Sequence, residues 1–194
     1  MTHEATPTRK SVRRAARATR TGSAAAYAAA VLAFGYAAVS AYWAAGGHGL
    51  LGTVGGTVED VTRRGGPPAL MLNGTAVLAK VAAGLLALAL VRPWGRRLPR
   101  WGLFGVAAVV GVLLVLYGGV LEIIGLLVLA GLIDAGGADW AMVGWHVAVW
   151  DLWFLAWGLL TCVAVVNLRG RRQPPSPADE HRLRRDDPVE PAPG

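Results

Sequence analysis

Lys80, Glu122 and Asp151 each interrupt a long apolar run, and Tyr36 places a phenol in another. Side chains of these types can neutralise one another in ion pairs, hold a proton, or bind a cation between carboxylates. One ammonium can neutralise only one of two carboxylates. The second must then be protonated, hydrogen-bonded to a group such as Tyr36, or matched by a bound cation. The spacing predicts an interhelical pair between Lys80 and Glu122, with Asp151 sharing the network.

The runs that carry these residues are long enough to cross a bilayer, whose hydrocarbon core of about 30 Å needs about 20 apolar helical residues. They are Ser23 to Ala45, Ala69 to Val91, Leu103 to Ile133 and Trp140 to Leu168. The third is long enough that it must tilt, kink or emerge, with Gly118-Gly119 as the expected kink. Counted from one boundary, each polar residue lies about ten or eleven residues into its run, which at the helical rise is roughly 15 Å. All four therefore reach one depth. Each shares a helical face with small residues: Glu122 with Gly111, Gly118 and Gly125, Lys80 with Ala76, Gly84 and Ala87, Asp151 with Gly144, Ala148 and Gly158, and Tyr36 with Ala29, Ala33 and Ser40. Small faces let neighbouring helices approach closely, so all four are expected to point into a bundle.

Composition agrees with the membrane class. Of 194 residues 54% are hydrophobic and only 16% charged, too apolar a balance for an ordinary soluble domain. The net charge of +7 comes from basic clusters between the runs, a pattern that fits membrane flanks and excludes a nucleic-acid-binding face. Arg9 to Arg20, Arg92 to Arg100 and Arg169 to Arg172 hold most of the basic residues; the alternate connections hold Arg63 and Arg64 in one and none in the other. This bias predicts both termini inside. Residues 1–22 read as a basic cytoplasmic arm, 23–168 as the transmembrane domain and 169–194 as a Pro/Arg/Asp-rich tail, with both termini disordered. Trp43, Trp140 and Trp145 are expected at the outer interface. His146 is expected beside them in a stripe with Trp150, Trp153 and Trp157, because five residues of α-helix place it about 140° away from Asp151.

The Gly-rich stretch Gly46 to Gly56 lacks the strand and the Lys-Ser/Thr ending of a phosphate loop and reads as an external loop, with "TVEDVTRR" as a short interfacial helix. Neither a Ser/His/Asp set, a metal-spaced His/Cys cluster nor a dinucleotide fingerprint is visible, so no catalytic residue, metal or cofactor is assigned. Cys162 is the single cysteine and forms no internal disulfide.

Two segments carry a resemblance. "SAYWAAGGHGLLG", Ser40 to Gly52, resembles the Tyr-Trp-Ala-x-Gly-Gly-x-x-Gly segment closing the first helix of the domain of unknown function 3995 family, and "WHVAVWDLWFLAWGLL", Trp145 to Leu160, is similar to the last helix of its actinobacterial members. In the broader family an Arg followed by Gly-Asp lies near the end of the third helix, where this chain reads "LEIIGLLV". The resemblance implies a four-helix bacterial membrane protein and brings no catalytic residues.

The sequence thus predicts an all-α polytopic protein of the bacterial plasma membrane with four transmembrane helices. Its partners are the bilayer and a second copy or another membrane protein, without nucleic acid. Two roles stay open, a structural or accessory module, or a small proton-, cation- or solute-transport subunit; an enzyme is not expected.

Overall fold

The computed structural model describes residues 9–134, 136, 137 and 139–170; the expected tail beyond Gly170 lies outside them. Among the described residues the chain is all-helical. Helix α1 runs Arg9–Ala44, α2 Gly56–Arg64, α3 Gly66–Ala89, α4 Arg100–Leu129, α5 Trp140–Trp145 and α6 Asp151–Arg169. A π-helical turn, His146–Trp150, joins α5 to α6 into one rod, and short 3-10 turns lie at Leu51–Thr53 and Pro93–Arg97. Four segments, Ala16–Ala44, Gly66–Ala89, Arg100–Leu129 and Trp140–Arg169, are long and apolar enough to cross a membrane.

Two expected boundaries change. The basic arm is already helical from Arg9, continuous with the first span, because Ala, Arg and Lys, all good helix formers, dominate the stretch and its one glycine, Gly22, lies inside the helix. The third run stays helical through Gly118-Gly119, the expected place for a kink. Helix α4 passes through both and ends at Leu129, so the surplus length emerges as the 130–133 turn.

Helix α1 packs on α3 and on α6, and α6 packs on α4, while α3 and α4 meet far less. The order across the molecule is therefore α3, α1, α6, α4. Small residues decide these contacts. In α4, Gly111, Gly118 and Gly125 recur every seventh residue, about two helical turns, and form one seam against α6 and the π-turn that precedes it. From the other side Gly158 meets the α4 backbone so closely that a Cβ there would lie 2.6 Å from Val115 N. Ala26, Ala29, Ala30 and Ala33 do the same for α1, where Phe34 fills the space over Gly84 of α3. A further cluster of Leu90, Leu103, Phe104, Val165 and Leu168 gathers the ends near the 93–97 turn.

At the opposite end the segment 45–65 folds back as a cap. Leu51 is wholly buried beneath it, and Trp43 Nε1 donates to Gly49 O at 2.9 Å. Helix α2 is held to α3 by Asn73, 2% exposed, whose Nδ2 donates to Thr62 Oγ1 and to Ala69 O, both at 3.0 Å. The sharp α2–α3 reversal uses Gly65 and Gly66, at φ 68° and 73°, and the prolines that follow start α3 where their missing N–H groups have no helical partner to lose. On the outside, α3 and α4 expose Leu70, Met71, Leu78, Val109, Leu113 and Ile123. Apolar faces of this extent need lipid or another protein against them.

Candidate functional site

The polar residues inside the runs gather beneath the cap in two groups. The first belongs to α1 and α3. Lys80 Nζ donates to Ser40 Oγ at 2.6 Å and sits 3.7 Å from the centroid of the Tyr36 ring, so hydroxyl and π-face together replace part of the ammonium's hydration. Lys80 and Tyr36 thus meet. Ser40, 1% exposed, completes the group, and only its place on the Tyr36 face hinted at this.

Lys80 does not reach Glu122. No ion pair between them occurs among the described residues, and helical geometry gives the reason. On α4, Tyr117 lies about 100° to one side of Gly118 and Glu122 about 40° to the other. Tyr117 stacks edge-on against Phe154 at 5.1 Å, and Phe154 packs on Tyr36 at 5.1 Å, so the side of the seam bearing Tyr117 is the one turned toward Lys80. Glu122 is on the far side. Equal depth and a shared small face were not enough, because α3 and α4 occupy the two ends of the helix order. Glu122 is half-buried, and its Oε2 is enclosed without a hydrogen-bond partner.

The second group belongs to the α5–α6 rod and overturns a helical-wheel expectation. In the π-turn, the backbone N–H of Asp151 donates to His146 O, an i→i+5 bond that enlarges the turn. Residues five apart then come one above the other, and His146 Nδ1 lies 3.4 Å from Asp151 Oδ1. The His146 Nε2 points the opposite way, 2.8 Å from Val54 O in the cap. An α-helix would have separated the two side chains. Asp151 is only 4% exposed.

The tryptophans differ from the expected stripe. Trp150 and Trp157 are buried and Trp153 half-buried, all turned inward; Trp150 Nε1 donates to Thr53 Oγ1 at 3.1 Å and Trp153 Nε1 to Leu32 O at 3.1 Å. Trp43, 4% exposed, packs on Trp150 beneath the cap instead of lining an outer face. Trp140 and Trp145 are exposed. The residues that sequence reasoning missed, Thr53 and Val54, lie in the cap, and nothing in their local sequence marks them as partners of a helix nearly a hundred residues away.

The arrangement can do two things chemically. It can hold a lysine in an apolar interior without a carboxylate, and it can share protons between an imidazole and a carboxylate. No curated protein and no solved structure matches the chain. Residues 33–161, which include both polar groups, match the family described as Protein of unknown function (DUF3995). That match spans well over half of the sequence, and the chain belongs to this family.

Proposed function

We propose that the protein is a structural or accessory module of the bacterial plasma membrane, crossing it four times with both termini inside and presenting α3 and α4 to lipid or to a partner membrane protein. The carrying observation is that its interior polar side chains largely satisfy each other. Lys80 is bound by Ser40 and Tyr36, His146 by Asp151 and Val54, and three indoles by cap or helix oxygens. Such a network fixes one packing of helices whose apolar surfaces alone would fit in several ways. The exposed apolar faces of the two outer helices supply a surface for assembly. The Lys/Arg bias of the connections supports the orientation.

A second reading, a subunit that moves protons, cations or a solute, is favoured by Glu122, whose enclosed Oε2 has no partner. Reconstitution separates the two. Protein in vesicles loaded with a pH-sensitive dye is subjected to a potassium-diffusion potential. A structural module gives the same proton flux as protein-free vesicles, in proton and in sodium gradients alike. Flux above that background, abolished by Asp151→Asn or Glu122→Gln in a protein that stays folded, establishes the transport reading instead.

A further inference from the structure

His146 stands between two oxygens, and the chemistry of those oxygens fixes how many protons the site must hold. Val54 O is a backbone carbonyl and can only accept, so at 2.8 Å the Nε2 facing it carries hydrogen. The other nitrogen faces a carboxylate oxygen at 3.4 Å. Either Nδ1 is also protonated, as imidazolium against carboxylate, or Asp151 carries the proton and donates it to a bare Nδ1. Both arrangements contain the same number of protons and leave the pair neutral. An Asp151 carboxylate facing an Nδ1 lone pair would instead place a net negative charge, 4% exposed, beside a second electron-rich atom.

From this geometry we propose that His146 and Asp151 form an exchangeable-proton site that latches the 51–54 cap to the helical bundle. With the shared proton present, the ring donates to Val54 O and contacts Asp151 at once. When that proton leaves, one ring hydrogen remains for two acceptors. The charged carboxylate is the stronger, so the hydrogen moves to Nδ1, and Nε2 turns a lone pair toward Val54 O. That contact fails and the 51–54 segment loosens, held then by Leu51 and the Trp150–Thr53 bond alone. The π-turn makes the device possible, because it alone brings positions 146 and 151 together. The other titratable side chains of the neighbouring helices are Tyr36 on α1, Tyr117 and Glu122 on α4, and Lys80 on α3, which sits over the Tyr36 ring. In the cap, Glu59 and Arg63 are paired with each other at 2.6 Å. This inference goes beyond the structural reading and does not depend on it.

Two readouts on the full chain in lipid nanodiscs test it. The first is the 15N spectrum of histidine-labelled protein, with the His146 signals identified by their loss in His146→Gln. The second is the mobility of a nitroxide on Gly52→Cys in a Cys162→Ala background, a readout whose own chemistry is independent of pH. As pH rises from about 5 to 9, His146 should exchange from an Nε2-protonated form to the Nδ1–H tautomer. The nitroxide should pass from an immobile to a mobile signal with the same midpoint. Asp151→Asn removes the exchangeable proton and should hold Nε2–H on Val54 and the cap immobile throughout. His146→Gln, whose amide can still donate to Val54 O, should be equally insensitive should Asp151→Asn fail to fold. A nitroxide that stays immobile while His146 titrates overturns the latch. A His146 that keeps one tautomer across the range overturns the proton site itself.

Discussion

Lys80 sits in the apolar interior with a hydroxyl and an aromatic ring for partners, and this choice has measurable consequences. Because Lys80 and Glu122 do not touch, Lys80→Met and Glu122→Gln should destabilise additively, within about 0.5 kcal/mol, in denaturant titrations of detergent-solubilised protein. Lys80→Met and Ser40→Ala, which break the same 2.6 Å bond, should couple by more than that. Asn73 offers a second test. Its amide satisfies Thr62 and Ala69 at a buried position, so Asn73→Ala should cost about 1–3 kcal/mol and loosen α2 first, seen as faster hydrogen exchange in residues 56–64. In the sequence Asn73 is only a polar residue near the start of an apolar run. Its clamp depends on α2 folding back across the start of α3, which local sequence does not encode.

Between elements, the small residues act by position rather than by type. Gly158 lies against the backbone of α4, whereas a side chain at Gly74 of α3 would meet nothing within 4 Å. Gly158→Ala should therefore destabilise by about 1–3 kcal/mol through forced separation of α4 and α6. Gly74→Ala should stabilise by about 0.5–1 kcal/mol, since only the flexibility of the unfolded chain changes. Thermal unfolding of the two single variants reads both signs. The π-turn gives a third comparison. Deleting Ala148 removes the extra residue that enlarges the turn and should restore an α-helical repeat in which His146 and Asp151 are four residues apart, on one face and still in contact. The His146 nitrogen spectrum should then keep the signature of an imidazole bonded to Asp151. Five-residue spacing in a regular helix argues against contact, and that argument is sound for the geometry it assumes. The exception arises because a wider turn lets Trp150 and Trp157 face α1 while His146 and Asp151 stay together, a compromise among several neighbours.

For the whole molecule, the order α3–α1–α6–α4 leaves two helices with broad apolar surfaces outside, so it should be soluble only in detergent or lipid, and reporter fusions at either end should be active inside the cell. An outward-facing terminus would put the cap and its latch on the inner side of the membrane instead. The sequence by itself determined the four apolar segments and the family, since hydropathy and helical rise depend only on the order of residues along one chain. Which helix stands beside which, and hence that Lys80 meets Ser40 while His146 joins Asp151 to the cap, was decided by the tertiary structure. The reason is that lipid-soluble helices associate through shape, and the fit of Gly111, Gly118 and Gly158 across one seam exists only once two separate segments are packed together.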